Sequence, residues 1–344
     1  MLVRRKLLMA GVAQGLASLS AFGQGRSETL MDTLKGPFKG PSISGSSSRR
    51  ERGQKSDEVT SSSITVFPLW PQGYLQDSRL KRTEHTGQRG QVFDVMEPRL
   101  LMHNFPAGKT CRGAVIVVPG GGYCNIEEGV EGAPTARWLM EQGFQVFELL
   151  YRLPISGWSD HAVLSDGQRA VRVVRHLAEQ YHYPADRVGM LGFSAGGHLA
   201  AITATQCQKR WEHICDGFDT LSARPDFVGL IYPVLTLMAP YNHNHSSRQI
   251  SRHLEKGETV KDYSAEFTVD KDTSPMFLAH AEDDPIAPVE NSLRMYTMLR
   301  QAHVKAELHI FQQGGHGWFR KHKLETYLWQ PLFLNWVQVV FLSQ

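Results

Sequence analysis

The chain is predicted to fold as an α/β protein, a doubly wound, mostly parallel sheet with helices on both faces. Three observations predict it. The run Ala114-Val115-Ile116-Val117-Val118 is almost wholly β-branched, as expected of a strand buried on both faces of a parallel sheet. Further apolar runs alternate with segments of helical spacing, the rhythm of β-α-β units. Glycine-rich turns follow several of these runs directly, at the strand ends where open α/β sheets bind ligands.

Taken in order, residues 64–69 and 99–105 are predicted as early strands, followed by 114–118. Residues 134–142 read as a helix with Pro134 at an acceptable early position. Strand 145–150 follows. Residues 166–181 carry Ala170, Val171, Val174, Leu177 and Ala178 on one helical face. Strands are then predicted at 188–193, 227–232, 276–280 and 306–311, with helices after 194, at 288–301 and at 326–341. Residues 235–274 break the rhythm. Their polar and aromatic core, Pro240 to Arg248, has no clear period, and it reads as a small cap or pocket wall near the strand ends. No internal repeat is present.

With 344 residues, 41% hydrophobic and 21% charged, the composition is that of an ordinary globular chain. The net charge of +3 owes much to Arg4, Arg5, Lys6, Arg49, Arg50 and Arg52. No basic stripe with interleaved aromatics exists, so no nucleic-acid partner is expected. The basic Arg4-Arg5-Lys6, the apolar stretch 7–22 and the small-x-small Ala21-Phe22-Gly23 read as an export signal over residues 1–23. The expected location is periplasmic or secreted. No other stretch reaches the roughly 18 apolar residues of a membrane span, so no stable span is expected after cleavage. Residues 24–62, rich in serine and charge, read as a disordered linker, leaving 63–344 as the catalytic domain.

The four cysteines are Cys111, Cys124, Cys207 and Cys215. Export would permit disulfides, and Cys207 with Cys215 could close a small loop; free thiols are the other reading. No C-x-x-C pair is present, so no structural zinc is expected.

The chemistry centres on Gly192-Phe193-Ser194-Ala195-Gly196, a G-x-S-x-G between an apolar strand and a helix start. In that context the pattern is a nucleophile elbow. A serine hydroxyl needs a base to take its proton and a third group to orient that base. His316, in Gly314-Gly315-His316-Gly317-Trp318, follows the strand at 306–311. Asp283 and Asp284 follow the strand at 276–280, and either could supply the acid. Pro119-Gly120-Gly121-Gly122-Tyr123 follows the buried strand at 114–118. Backbone N–H groups of Gly121, Gly122 and Ala195 are the expected oxyanion donors. No Gly-Lys-Ser/Thr follows the glycines, which excludes a nucleotide P-loop.

These stretches, together with residues 278–292 and 306–318, resemble the α/β-hydrolase superfamily. They are similar to bacterial esterases of the acetylxylan and feruloyl esterase kind and to the hormone-sensitive-lipase group. In those families the acid is followed by x-x-x-Pro, matched by Asp284-Pro285-Ile286-Ala287-Pro288, so the resemblance selects Asp284. It implies Ser194 as nucleophile, His316 as base and Asp284 as acid, with no metal or organic cofactor. Pro119 stands where the lipase-like H-G-G-G has histidine, which points to esterases of small carbohydrate esters. The implied partner is a small-molecule or polysaccharide ester, carrying acetyl or feruloyl groups. Tyr123, His243, His245 and Arg248 are candidates for the substrate pocket. Glu131 and Arg152 are expected to pair, and His198, His280 and Glu282 to support the site. Two alternatives use the same fold. A prolyl-oligopeptidase-like peptidase would carry an N-terminal propeller, for which about 100 residues ahead of the oxyanion strand are too few. An inactive carbohydrate-binding module would lack a triad member, and all three are present.

Overall fold

In a computed structural model, the β-branched run becomes a central strand of an eight-stranded sheet. The structure describes residues 64–75, 82–106, 108–211, 215–252, 254–318 and 327–342. The predicted export signal (1–23) and linker (24–62) lie outside the described residues. The chain enters through β1 (Ile64–Pro68), a small hairpin of β2 (His85–Thr86) and β3 (Val92–Phe93), and β4 (Arg99–His103). The α/β repeat then runs β5 (Ala114–Val118), α1 (Ala133–Glu141), β6 (Gln145–Leu150), α2 (Asp160–Leu177), β7 (Val188–Phe193) and α3 (Ala195–Thr205). It continues through β8 (Phe227–Ile231), α4 (His245–Ser251), β9 (Met276–Ala281), α5 (Glu290–Gln301), β10 (Ala306–Phe311) and α6 (Trp329–Val337). The short β2–β3 hairpin carries no alternation long enough to be read from sequence.

The sheet order is β1-β4-β6-β5-β7-β8-β9-β10, with β1 and β4 antiparallel and the rest parallel. From β5 the chain steps to β6 on one side, then returns past β5 to β7 on the other. Right-handed crossovers therefore send α1 to one face and α2, α3 and α5 to the other. On the first face α1 and α6 close a core of Val115, Val117, Leu139, Phe193, Phe277, Phe333 and Trp336. On the second, α2 packs on α3. Every residue of α3 is buried, as befits a helix that is apolar all round. The reversal of strand order falls between β5 and β7, where Val118 pairs with Gly192. The connections that leave these two carboxyl ends run to opposite faces of the sheet, and a crevice lies between them.

Most element boundaries fall within one or two residues of the sequence reading, and two elements differ by more. Helix α2 begins at Asp160, not 166, because Ser159 caps it by accepting from Ala162 N at 3.1 Å. In the C-terminal helix, α6 gives way to a π-helical turn at Gln338–Leu342.

Arg152 does not pair with Glu131, as expected from sequence, but with Asp166 on α2. Its Nε and Nη2 donate to the carboxylate at 2.8–3.1 Å and its backbone N–H at 2.8 Å. Trp70 Nε1 donates to the same carboxylate at 2.7 Å. The guanidinium lies over the Trp70 and Trp158 rings, 5.3 and 5.2 Å from their centroids. This bidentate pair joins the end of β6 to α2 with both partners out of water. Arg152→Ala strands a buried carboxylate, and urea unfolding should show a loss of about 3–5 kcal/mol.

Candidate active site

Ser194 sits at the turn from β7 into α3 with φ 52° and ψ −116°. This is costly for a side chain with a Cβ. Backbone bonds hold it there. Ser194 N–H donates to Ile231 O at 3.1 Å, and its carbonyl accepts from His198 N (3.2 Å) and Val234 N (3.1 Å). Gly196 makes the turn possible. A Cβ there would overlap the Val118 carbonyl and stand 2.5 Å from Pro119 O, so only glycine lets α3 approach β5 this closely.

Ser194 Oγ lies 2.8 Å from His316 Nε2, and His316 Nδ1 lies 2.7 Å from Asp284 Oδ2. The other Asp284 oxygen accepts from the N–H groups of Ile286 and Ala287 at 2.8 and 2.9 Å. Burial opposes ionisation of Asp284, but hydrogen bonds from His280 and His316, and their charge, outweigh it and hold its carboxyl well below the usual range. A hydroxyl, an imidazole and an ionised carboxylate thus lie in line, an arrangement that can move a proton off the hydroxyl. Asp283 is used differently. Its Oδ1 accepts from Gly314 N (2.7 Å) and Gly315 N (2.6 Å) and anchors the histidine loop.

Beyond β5 the chain turns through Pro119–Gly122. Gly121 has φ 122°, a backbone conformation open to glycine, and a Cβ there would collide with Asn125. The loop turns its carbonyls inward: Gly120 O accepts from Glu127 N at 3.1 Å, and Gly121 O from Cys124 N at 3.0 Å. Among the described residues, no acceptor meets the N–H groups of Gly121, Gly122 or Ala195. Glu131, in a π-helical turn at Glu128–Gly132 ahead of α1, accepts from Gly120 N at 2.6 Å and from Tyr232 Oη at 2.9 Å. Burial raises its pKa.

These groups border a cavity of about 200 Å³ that includes Ser194, His316, Gly121, Gly122 and Glu131. The insertion at 235–274 walls its far side with Asn244, His245 and Ser246, in keeping with the cap-like reading. A larger groove of about 630 Å³, bordered by Arg82, Glu84 and Arg99, holds no nucleophile–base pair, so the chemistry belongs to the smaller cavity.

Of the sequence-predicted site residues, Ser194, Asp284, His316, Gly121, Gly122 and Ala195 come together here. Among the pocket candidates only His245 borders the cavity; His243 and Arg248 are exposed away from it. Tyr123 is a correction. Its backbone is left-handed at φ 61°, and the ring lies fully buried beneath the loop. Its hydroxyl is 2.7 Å from His198 Nδ1. Burial pushes His198 down to about 4, so its neutral ring accepts from Tyr123 and donates through Nε2 to Tyr263 O at 2.7 Å. That bond ties the elbow helix to the insertion. His280 likewise serves the acid loop, its Nε2 2.8 Å from Ala287 O and its Nδ1 2.8 Å from Ser292 Oγ. All four cysteines are free thiols. Cys215, Asp216 and Asp219 cluster with metal-ligand chemistry, but Arg169 pairs with both aspartates and Arg172 approaches Asp219 at 3.5 Å. The carboxylates are already neutralised, and the group does not suit a cation.

The sheet with its strand-order reversal, the serine elbow and the strand-end histidine and aspartate together define an α/β-hydrolase. Residues 103–299 match the BD-FAE family, and the chain belongs to that family. It is 30% identical over 227 residues to an acetylxylan esterase of Xylanibacter ruminicola, covering 63% of this chain and 43% of that protein. It is 32% identical over 218 residues to endo-1,4-beta-xylanase B of Butyrivibrio fibrisolvens, covering 63% of this chain and 33% of the xylanase. The chain therefore spans less than half the length of either curated relative. Among solved structures it is similar to an acetyl ester-xyloside bifunctional hydrolase from Caldicellulosiruptor lactoaceticus, with a TM-score of 0.69 and 31% identity over 80% of this chain and 96% of that one.

Tyr232 was not singled out by sequence, and Glu131 and Asp283 were read in other roles, as the partner of Arg152 and as an alternative acid. Their contacts cross between strand ends, and no local spacing marks them.

Two outcomes follow from this geometry. Gly196→Ala should cost about 1–3 kcal/mol in urea unfolding, through forced separation of α3 from β5. Glu128, on the same turn as Glu131, packs against the fully buried Glu148. Burial, then the charge of Glu148 and the hydrogen bond between the two carboxyls, push Glu128 from 4.5 up to about 7, against the pull of His103 and Arg137. Between those values the folded chain keeps a proton that the unfolded chain has released, so stability falls as pH rises across the window. Glu128→Gln cannot ionise. Its stability relative to wild type should increase from pH 4.5 to about 7, as read by denaturation at a series of pH values; a flat difference would contradict the assignment.

Proposed function

We propose that the protein is a serine carboxylic-ester hydrolase that removes acetyl or similarly short acyl groups from a polysaccharide or other small ester. One observation carries this reading: the hydrogen-bonded line Ser194–His316–Asp284, at 2.8 and 2.7 Å, opens onto a cavity edged by unengaged backbone N–H groups. Ser194 Oγ attacks the ester carbonyl while His316 Nε2 takes its proton. The imidazolium is stabilised by Asp284, which stays ionised. The oxyanion is met by the N–H groups of Gly121, Gly122 and Ala195, reinforced by the positive end of α3. His316 then protonates the departing alcohol. Water, deprotonated by the same nitrogen, hydrolyses the acyl-enzyme, returning Ser194 and releasing the acid.

The cavity, about 200 Å³, is smaller than the roughly 300–1,000 Å³ that encloses a drug-sized ligand. It favours acetyl over feruloyl, with the alcohol left in the open mouth beside Asn244, His245 and Ser246. Xylan appears in the names of both curated relatives given above, and supports an acetylated plant polysaccharide as substrate. Export by residues 1–23 to the periplasm or medium belongs to the same proposal.

The test is hydrolysis of p-nitrophenyl acetate alongside a feruloyl ester. Wild type should turn over the acetyl ester, and far faster than the feruloyl one. Ser194→Ala should lose at least about 10⁴-fold in kcat. Comparable activity in folded Ser194→Ala protein would end the assignment.

A further inference from the structure

Glu131 is buried at the cavity wall, yet it makes no hydrogen bond to the Ser194–His316–Asp284 line. Its two oxygens divide their work. Oε2 accepts from Gly120 N–H at 2.6 Å, and Oε1 accepts from Tyr232 Oη at 2.9 Å. The first bond reaches the loop after β5. The second reaches the residue that follows β8, whose ring centroid lies 5.0 Å from the His316 ring. One carboxylate therefore braces the glycine loop against the strand end beneath the histidine.

Gly120, Gly121 and Gly122 have no side chains to pack, so hydrogen bonds fix the loop: Pro119 O accepts from Tyr151 Oη at 2.8 Å and Gly121 O from Cys124 N at 3.0 Å. Gly120 is held on both polar groups: its carbonyl accepts from Glu127 N at 3.1 Å and its N–H donates to Glu131. A Cβ on Gly120 would stand 2.9 Å from Ser194 Cβ and 3.1 Å from Glu131 Oε2. The loop is thus wedged between the serine and this carboxylate. With the Gly120 N–H tied inward, the next two N–H groups, on Gly121 and Gly122, remain at the cavity wall without an internal acceptor among the described residues.

We infer that Glu131 is a positioning residue for the oxyanion-binding amides, acting through its bond to Gly120 and steadied by Tyr232. This rests on the esterase reading above. The effect required is geometric: displacement of an aligned donor by about 1 Å can cost roughly 100-fold in rate.

The test compares Glu131→Ala, Glu131→Asp and Glu131→Gln on p-nitrophenyl acetate. It also measures inhibition by a small trifluoromethyl ketone, which forms a tetrahedral oxyanion adduct on the serine. In the Ala and Asp variants kcat should fall about 10- to 100-fold, with KM little changed and the ketone inhibition constant rising in parallel with the loss of kcat. Gln keeps an acceptor for Gly120 N–H and can donate to Tyr232 Oη, so it should recover most of the loss. Should the Ala protein not fold, the Asp and Gln pair decides. Folded Ala or Asp variants with wild-type kcat and ketone affinity would overturn the inference. So would a Gln variant as impaired as Asp or Ala, since that would assign the effect to charge. The failure of the esterase reading looks different: wild type itself would have no turnover, or Ser194→Ala would keep it.

Discussion

The backbone of Gly196 touches the carbonyls of Val118 and Pro119 with no room for a methyl group between them. That contact sets the spacing between the first turn of α3 and the end of β5, and the rest of the site depends on it. It lets the chain leave β7 through a strained serine. It places the helix N-terminus beside the glycine loop, so that Ser194 and the loop, from two separate strand ends, border one cavity. The cost of the Ser194 backbone angles is met locally by three hydrogen bonds from its own peptide groups, which leave the hydroxyl as the group with nowhere to turn but His316.

A second constraint follows from the strand order. Because that order reverses between β5 and β7, the connections leaving them run to opposite faces, and loops from β5, β7, β8, β9 and β10 reach the same opening. Each contributes one element: the glycine loop, Ser194, Tyr232 with the insertion, Asp284, and His316. Their precision comes from neighbours. Asp283 holds the loop that carries His316, His280 holds the loop that carries Asp284, and His198 ties α3 to the insertion.

Much of this was legible in the sequence because the reactive residues sit directly after β-branched strands and among glycine and proline. Ser194 is bracketed by Gly192 and Gly196; His316 is bracketed by glycines; Asp284 precedes Pro285. Such punctuation reports backbone geometry, and backbone geometry is local. The early start of α2 was encoded too, in the capping Ser159, but the apolar face that signalled the helix begins later. What sequence could not supply were contacts made across the fold. Glu131 and Tyr232 are 101 positions apart, and Arg152 pairs with Asp166 of α2 and not with Glu131. Tyr123 follows the glycines in sequence, yet its left-handed backbone turns the ring under the loop.

Asp284 and Glu131 show how one burial produces opposite outcomes. Desolvation raises both. At Asp284 the hydrogen bonds and charge of two histidines, joined by two backbone N–H groups, overcome that penalty and leave the carboxylate firmly ionised. At Glu131 one amide and one phenol do not overcome it, and its pKa stays raised. The difference suits their places. In the proposed mechanism the group beneath the imidazole must remain negative while a positive charge grows on His316. In the same mechanism a strong negative charge behind the glycine loop, at Gly120 N–H, would work against an oxyanion forming at the neighbouring Gly121 and Gly122 amides. An acceptor whose charge is weakly held can orient Gly120 N–H with less of that opposition, so the environment of each carboxyl assigns its role.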